Sequence, residues 1–273
     1  MAARHSPRSG DPETALVTGA SAGIGREFAR IFAEHGYDLI IVARRKAELE
    51  ELADACRSEH RVRVHVVPMD LLVPNASEEL VQLLADEDLR VDVLVNNAGL
   101  MEMGAFAEIG VGQHERLLQL NVVVPTSLTR RLLPAMIERG RGRILNVAST
   151  SSFQPVPSMA LYAASKALVL SLSESLSEEL KGTGVTVTAL CAGITKTDMY
   201  ERAHDDHAIV QSLPGLFLSE AEDVARRGYE ACVAGEAVVI PGLANRVVAS
   251  AAQLYPRWLV RTVGGLVGRR TTG

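Results

Sequence analysis

Near its N-terminus the chain carries the sequence Thr14-Ala15-Leu16-Val17-Thr18-Gly19-Ala20-Ser21-Ala22-Gly23-Ile24-Gly25, in which a short apolar run leads straight into a glycine-rich turn. An amphipathic pattern follows, so a buried strand, a tight turn and a helix are predicted in that order. Small residues at such a turn let the backbone approach a pyrophosphate, whose charge is favoured at the helix N-terminus. The spacing is Gly-x-x-x-Gly-x-Gly rather than the Gly-x-Gly-x-x-Gly of most dinucleotide sites, so an ordinary tight turn is the alternative interpretation.

Apolar runs and helical patterns continue to alternate along the chain. This is typical of an α/β protein with a doubly wound, Rossmann-type parallel sheet and helices on both faces. We predict about seven strands, at residues 14–18, 37–43, 62–67, 91–95, 143–148, 185–190 and 237–240. Ligands bind such sheets beyond the carboxyl ends of the strands, so the residues that follow the strands are the candidates for function.

The composition favours a single large domain. The chain has 273 residues, 47% of them hydrophobic, and no Pro-, Gly- or Ser-rich linker divides it. We assign residues 13–242 to a Rossmann-fold domain and residues 243–273 to a C-terminal amphipathic helical extension. The formal net charge of -5 argues against a nucleic-acid partner.

Residues 1–12 are polar and turn-rich and contain no apolar segment, so we expect a disordered tail rather than a secretory signal. The three cysteines, Cys56, Cys191 and Cys232, are far apart and have no neighbouring histidines. This pattern suggests neither a disulfide framework nor a zinc site and fits a reducing compartment. We therefore expect a cytoplasmic protein.

Tyr162 and Lys166 are four positions apart on a predicted helix, which places both on one face, a turn apart. A nearby lysine cation favours the phenolate and lowers the pKa of a tyrosine, so the pair is a candidate general acid/base. Ser149 ends a run predicted as a buried strand, so its hydroxyl and the phenol would meet at one carbonyl oxygen. Taken singly, such a pair also occurs by chance in many helices, and the serine also fits a plain polar loop.

The second predicted strand ends in Arg44-Arg45-Lys46, where an NAD enzyme usually carries an acidic residue for the ribose 2′-hydroxyl. Three cations without a carboxylate favour a 2′-phosphate, because guanidinium groups pair with phosphate oxygens. NADP(H) is therefore the predicted cofactor, with Arg44 as the first candidate for the contact and Arg45 as the second. Alternatively, these residues only begin a charged helix at 46–57.

Three more loops follow predicted strands, where a cofactor would lie. They contain Asp70-Leu71 after the third strand, Asn97-Ala98-Gly99 after the fourth, and residues 191–197 after the sixth. A helix predicted at 113–138 contains Asn121 and is interrupted by Pro125 and Pro134. A kink or an unwound turn is therefore expected near the asparagine.

Together these motifs make the chain resemble the short-chain dehydrogenase/reductase family in its short, single-domain form. The resemblance covers about residues 14–242 and rests on Thr18-Gly19-x-x-x-Gly23-x-Gly25, Asn96-Asn97-Ala98-Gly99, Asn121, Ser149 and Tyr162-x-x-x-Lys166. It implies hydride transfer between the nicotinamide of NADP(H) and a carbonyl carbon, with proton transfer by a tyrosine.

The same resemblance implies a role for each matching residue. Tyr162 would be the general acid/base, Lys166 would hold the nicotinamide ribose, Ser149 would polarise the carbonyl, and Asn121 would hold a water that links Lys166 to solvent. The implied cofactor contacts are Gly19, Ser21, Ala22, Gly23 and Ile24 at the pyrophosphate, Asp70 and Leu71 at the adenine, Asn97, Ala98 and Gly99 on the adenosine side, and Gly193, Ile194, Thr195 and Thr197 at the nicotinamide amide. One departure is Ala192, where the family usually has a proline, so the turn under the nicotinamide is expected to be less rigid.

Residues near 199–218 lie where these enzymes have their substrate lid. His204, Asp205, Asp206 and His207 fall in this segment, and a solvated lid is a better interpretation than a metal cluster, so no metal site is predicted. An apolar pocket, and hence a hydrophobic carbonyl or alcohol substrate, is indicated by Leu213, Leu216, Phe217, Leu218, Met101 and Met103. Apolar lids also serve only to exclude water, which is the alternative.

The extension at 243–273 alternates apolar residues with arginines, like a pair of basic amphipathic helices. Packing on this subunit or on a partner is favoured over contact with an anionic membrane, and the apolar stretches are too short to span a bilayer. By resemblance, the helices flanking Asn121 and Tyr162 predict a homo-oligomer, either a dimer or a tetramer.

The leading functional prediction is an NADP(H)-dependent carbonyl reductase or alcohol dehydrogenase. A 3-oxoacyl thioester reductase is the alternative within that class. A non-catalytic NADP(H)-binding scaffold is the alternative outside it, and the intact Asn121, Ser149, Tyr162 and Lys166 speak against it. An epimerase or dehydratase of the family's longer form is disfavoured by the glycine spacing.

Overall fold

The computed structural model describes residues 12–201, 218–255, 258 and 262. Its strands are β1 (Thr14–Thr18), β2 (Asp38–Ala43), β3 (Val64–Pro68), β4 (Val93–Asn96), β5 (Gly142–Ser149), β6 (Val185–Ala192), β7 (Ile194–Thr195), β8 (Leu218–Ser219) and β9 (Val238–Val239). One parallel sheet has the order β3-β2-β1-β4-β5-β6-β9, and β7 pairs with β8 in a small parallel sheet. The predicted doubly wound Rossmann-type sheet is confirmed.

Helices connect the strands and cover both faces of the sheet. They are α1 (Gly23–Glu34), α2 (Lys46–His60), α3 (Ala76–Asp86), α4 (Val111–Leu118), α5 (Val124–Glu138), α6 (Ala160–Glu179), α7 (Ala221–Ala234) and α8 (Leu243–Leu254). A π-helical turn at Gln119–Val123 joins α4 to α5, and a 3₁₀ turn at Thr150–Phe153 follows β5. In the described parts of the chain, none of the helices combines the length and the apolar character needed to cross a membrane.

The hydrophobic core forms two layers, one on each side of the sheet. Residues such as Phe28 and Phe32 of α1 pack on one face, and residues such as Leu80 and Leu128 pack on the other. Every residue of β2 is buried, as expected for a central strand that is covered on both faces. The burial of strands from both sides explains why their sequences are continuous apolar runs.

The strand boundaries differ from the prediction in an informative way. Both β5 and β6 continue beyond the predicted ends at 148 and 190, because parallel pairing continues as far as Ser149 opposite Ala192. Ser149 is therefore the last residue of its strand, while β9 is shorter than predicted. Nearly all of the predicted tail at 1–12, most of the predicted lid and much of the extension after residue 255 lie outside the described residues.

A buried network of hydrogen bonds between side chains connects the elements that lead to the candidate site. Asn96 Nδ2 at the end of β4 donates to Asn146 Oδ1 of β5 at 2.8 Å and to Thr129 Oγ1 of α5 at 3.1 Å. Asn146 Nδ2 donates in turn to Ser173 Oγ of α6 at 2.9 Å. A buried polar group without a hydrogen bond lowers the stability of the folded protein. This network of hydrogen bonds therefore fixes how α6 lies on the sheet.

Ser173→Ala removes the acceptor of the buried Asn146 amide, and we expect it to lower the free energy of unfolding by about 1–3 kcal/mol. Ser175→Ala is the matched control, since Ser175 is exposed and donates only to Ser171 O on the same helix. Its effect is expected to stay within about 0.5 kcal/mol. Urea denaturation of both variants measures the difference. Equal free energies of unfolding would contradict a stabilising role for the buried hydrogen-bond network.

Candidate active site

The glycine-rich turn between β1 and α1 packs directly against the loop that follows β4. Gly19 has φ +68°, and a Cβ there would lie 2.9 Å from both Ala98 Cα and Asn97 Nδ2, so only glycine fits. Asn97 Nδ2 donates to Thr18 O at 2.9 Å. Thr18 Oγ1 accepts from the backbone N–H groups of Asn97 at 3.0 Å and Ala98 at 3.1 Å. Thr18 belongs to the glycine-turn motif, but the motif does not predict this link between the two loops.

These two loops meet where the strand order reverses, between β1 and β4. In open α/β sheets a crevice for ligands lies at this switch point. The N-cap of α1 is Ala22, which offers no side-chain hydrogen bond, and the first turn contains no acidic residue. The first N–H groups of α1 therefore lack a capping side chain and suit an anion such as a pyrophosphate.

The two arginines at the end of β2 have different surroundings. Arg45 donates to Ser21 Oγ at 3.2 Å and pairs with the Asp198 carboxylate at 3.3 Å, so it links the glycine turn to the segment after β7. Thr197 lies against the same turn, because a Cβ on Gly23 would be 2.8 Å from Thr197 Cγ2. Arg44 is exposed, and within the described residues its side chain has no hydrogen bond or ion pair.

Ser149, Tyr162 and Lys166 converge at the carboxyl end of β5. The Ser149 hydroxyl oxygen accepts from Ser151 N at 3.2 Å, which orients it within the 3₁₀ turn. Lys166 is 6% exposed, and its Nζ donates to Val147 O at 2.8 Å. The same Nζ lies 5.8 Å from the centroid of the Tyr162 ring. The structure thus brings the three predicted side chains together.

Burial controls the protonation of this group. Burial raises the pKa of Tyr162, and a side-chain hydrogen bond with Ser149 acts in the opposite direction. Burial also lowers the pKa of Lys166 to about 8. The expected lowering of the Tyr162 pKa by Lys166 is not found in the protein alone, because loss of solvent outweighs other effects on the phenol. At neutral pH the phenol is therefore protonated and the amine still largely charged.

Asn121 lies in the π-helical turn, which confirms the expected interruption of the helix. Pro125 has no N–H to donate to the carbonyl four residues earlier, that of Asn121, so the α-helical pattern breaks there. Asn121 Oδ1 accepts from Leu100 N at 2.8 Å, and its Nδ2 donates to Leu100 O at 2.9 Å and to Ser165 Oγ at 3.2 Å. A Cβ on Gly99 would lie 3.2 Å from Asn121 Oδ1 and 3.6 Å from Lys166 Nζ, so the loop after β4 lies close to both side chains.

The segment after β6 is fixed by α8, a contact that sequence reasoning missed. Gly193 packs so tightly against the Asn245 amide that no side chain would fit at this glycine. Asn245 is buried and its Nδ2 donates to Pro241 O at 3.0 Å. Thr195 Oγ1 donates to Gly193 O at 3.0 Å, which further shapes the loop. The available signal was a polar asparagine near the start of a mainly apolar helical pattern.

The remaining predicted residues differ in their exposure to solvent. Asp70 is exposed and its Oδ1 accepts from Leu72 N at 3.0 Å, whereas Leu71 is buried. Met101 and Met103 are half-buried in the loop after β4. Leu218 begins the small β8 strand, while the other predicted lid residues, including Leu213, Leu216 and Phe217 and the cluster His204, Asp205, Asp206 and His207, lie outside the described residues.

Comparison with known proteins agrees with the doubly wound, Rossmann-type fold. The family model described as short chain dehydrogenase matches residues 13–208. The chain belongs to the short-chain dehydrogenase/reductase family and is an oxidoreductase of that family. A curated relative, the ketoacyl reductase HetN of Nostoc sp. (strain PCC 7120), is 34% identical over 188 residues, which are 68% of this chain and 65% of that protein.

Two solved structures are similar over most of their length. A short-chain dehydrogenase from Sphingobium yanoikuyae in complex with NADPH is 36% identical, with a TM-score of 0.78, and the match covers 88% of this chain and 92% of that chain. The bulky-bulky ketone specific alcohol dehydrogenase from Comamonas testosteroni is 32% identical, with a TM-score of 0.75 and coverage of 94% of each chain. Both structural matches cover more of this chain than the family model does.

The buried Lys166 predicts a specific pH dependence of stability. Its pKa of about 8 lies below the value of 10.5 for an ordinary lysine, so between these values the unfolded chain holds a proton that the folded chain lacks. The free energy of unfolding should therefore rise by about 2 kcal/mol from neutral pH to about pH 9.5 through this residue alone. Lys166→Met is expected to lose that rise when the cofactor-free protein is unfolded with urea at both pH values.

Lys181→Met is the control for this measurement, because Lys181 is a largely exposed lysine just after the same helix. It should keep the rise of the wild type. An unchanged rise in Lys166→Met would show that the buried ammonium does not titrate in this range.

Proposed function

We propose that the protein is an NADP(H)-dependent oxidoreductase that interconverts a ketone or aldehyde with the corresponding alcohol. The observation that carries the proposal is the convergence of the Ser149 hydroxyl, the Tyr162 phenol and the buried Lys166 ammonium at the sheet edge that carries the glycine turn. Two hydroxyl groups at one point suit a carbonyl oxygen, and a neighbouring cation suits a ribose or a phenolate.

The residues present fit NADP(H). The uncapped N-terminus of α1 and the close-packed glycine turn suit the pyrophosphate. Arg44 is exposed at the end of β2 and has no ion pair among the described residues, which leaves its guanidinium for the 2′-phosphate. The NADPH complex of the similar Sphingobium yanoikuyae enzyme supports this choice of cofactor. The segment from Gly193 to Thr197 would hold the nicotinamide amide, and Asp70 and Leu71 the adenine.

The nicotinamide, when bound, supplies or accepts the hydride. In the reducing direction Tyr162 donates its proton to the substrate oxygen, and the raised pKa of the phenol keeps that proton in place at neutral pH. Ser149 donates a hydrogen bond to the same oxygen and polarises the carbonyl. Lys166 holds its position through Val147 O and stabilises the phenolate that remains.

The substrate is proposed at the level of its class. Half-buried Met101 and Met103 beside the site support a hydrophobic carbonyl compound, as does the likeness to an alcohol dehydrogenase specific for bulky-bulky ketones. The likeness to a ketoacyl reductase supports a 3-oxoacyl thioester as the second candidate. The exposed apolar side chains Leu118, Val123 and Leu168 around Asn121 and Tyr162 support a homo-oligomer formed through these helices.

Arg44→Ala tests the cofactor. Loss of one guanidinium–phosphate contact should weaken NADPH binding roughly 10- to 100-fold and leave NADH binding almost unchanged. Arg30→Ala, which removes an exposed arginine from the outer part of α1, should bind both cofactors like the wild type. Titration of cofactor fluorescence measures all three proteins, and equal affinity of the wild type for NADH and NADPH would overturn the phosphate assignment.

Tyr162→Phe tests the reaction. Removal of the proton donor should lower kcat by at least about 100-fold while NADPH binding changes only a few-fold. Tyr255→Phe, at an exposed tyrosine after α8, should keep full activity. Activity is followed as NADPH oxidation with bulky ketones, aldehydes and 3-oxoacyl thioesters. A wild type that binds NADPH but reduces none of these compounds would favour the scaffold alternative.

A further inference from the structure

A buried side chain of α8 lies against the loop proposed to hold the nicotinamide. Asn245, near the start of this helix, is 8% exposed. A Cβ on Gly193 would be 2.7 Å from Asn245 Cγ and 2.8 Å from its Oδ1, and it would also meet Nδ2. The whole amide group therefore packs on the backbone of Gly193. The loop cannot shift toward α8 unless the asparagine side chain moves first.

The Asn245 amide is itself held by the turn that precedes α8. Its Nδ2 donates to Pro241 O at 3.0 Å. Gly242 has φ +82°, and a Cβ there would lie 3.3 Å from the same Nδ2. The proline ring restricts the backbone of this turn, and β9 just before it pairs in parallel with β6. The amide is thus fixed between two segments that follow neighbouring strands.

The sequence of the nicotinamide loop does little to fix its own backbone. Ala192, the last residue of β6, stands where the family usually has a proline, so no ring restricts φ there. Thr195 Oγ1 donates to Gly193 O at 3.0 Å, but this bond lies within the loop itself. The contact with Asn245 therefore supplies, from a different element, a restraint that the loop lacks.

The same helix also reaches the other side of the candidate site. It packs against the 3₁₀ turn at Thr150–Phe153. The backbone N–H of Ser151 in that turn donates to the Ser149 hydroxyl. Phe153 and Ile240, which lies shortly before α8, pack on the same small cluster of buried side chains. The position of α8 therefore affects the distance between the nicotinamide loop and the Ser149 hydroxyl.

We propose that Asn245 is a positioning residue, which holds the loop at residues 193–197 in the shape that binds the nicotinamide. The identity of that ligand rests on the proposed function, whereas the support of the loop by Asn245 does not. Without the asparagine amide, the loop would sample more conformations in the cofactor-free protein. Binding of the nicotinamide would then have to order the loop, which weakens the affinity. The adenosine half of the cofactor would bind as before.

Hydrogen–deuterium exchange of the cofactor-free protein tests the support of the loop. In Asn245→Ala, the backbone amides of residues 191–197 should exchange roughly 5- to 30-fold faster than in the wild type, because the restraint on about one backbone residue is lost. Gln253→Ala is the matched control, since it removes a side-chain amide from an exposed position of α8 and should exchange like the wild type. An unchanged exchange rate in Asn245→Ala would overturn the proposal.

Calorimetric titration of the same proteins tests the consequence for the cofactor. Asn245→Ala should bind NADPH about 5- to 30-fold more weakly, because binding must now order the loop. Its affinity for adenosine 2′,5′-bisphosphate, which lacks the nicotinamide, should equal that of the wild type. Equal weakening of both ligands would contradict a role confined to the nicotinamide loop. A wild type that does not bind NADPH would contradict the proposed function, while faster exchange in Asn245→Ala would still support the role of Asn245 in the loop.

Asn245→Asp provides a second variant if Asn245→Ala does not fold. The carboxylate has nearly the size of the amide and fills the same space beside Gly193, but when ionised it cannot donate to Pro241 O. Loop exchange and NADPH affinity should therefore change in the same direction as in Asn245→Ala. Thermal unfolding identifies the folded variants, and wild-type exchange and affinity in a folded Asn245→Asp would refute the proposal.

Discussion

The hydroxyl group of Thr18 connects the two loops on which the site depends. It donates to Val95 O and accepts from the backbone N–H groups of Asn97 and Ala98. The side-chain amide of Asn97 in turn donates to Thr18 O. The ends of β1 and β4 are thereby locked together where the strand order reverses. Gly19 then has room for no side chain, and the glycine turn and the loop after β4 become the two walls of one crevice. The position of Asn121 depends on the same contacts, since Asn121 forms a hydrogen bond with Leu100 in the loop after β4.

Loss of solvent sets the protonation of Tyr162 and Lys166 in the candidate site. The same low-dielectric setting moves the pKa of Tyr162 up and the pKa of Lys166 down, so each group is shifted toward its neutral form. Bonds from the protein compensate only in part, through Ser149 for the phenol and Val147 O for the ammonium. At neutral pH the phenol therefore keeps its proton, and negative charge that develops beside it would favour the lysine cation. The interaction between the two side chains that the sequence suggests becomes important only when negative charge appears on the phenol.

The fold and the grouping of Ser149, Tyr162 and Lys166 are predictable because both depend on local patterns. Continuous apolar runs predict buried parallel strands, and the spacing of Tyr162 and Lys166 predicts their common face. Strand ends are less predictable, since β5 and β6 continue only because each pairs with the other as far as Ser149 and Ala192. The roles of Asn146, Ser173 and Asn245 are not predictable either, because they arise from contacts between distant segments. In a sequence, the only sign of such a contact is an isolated polar residue within an apolar pattern.

The polar side chains around the crevice divide into two groups, and the division itself favours an enzyme over a scaffold. Asn97, Asn121 and Asn146 use their amides in bonds within the protein, so they build the framework. The hydroxyls of Ser149 and Tyr162 and the guanidinium of Arg44 keep hydrogen-bonding capacity for a ligand. Lys166 belongs to neither group, because it remains a buried cation at a cost in stability that an apolar side chain of similar size would avoid. A hydrogen bond to a nicotinamide ribose does not require a charged group, whereas proton transfer from Tyr162 to a carbonyl oxygen would use the charge of Lys166 to stabilise the phenolate.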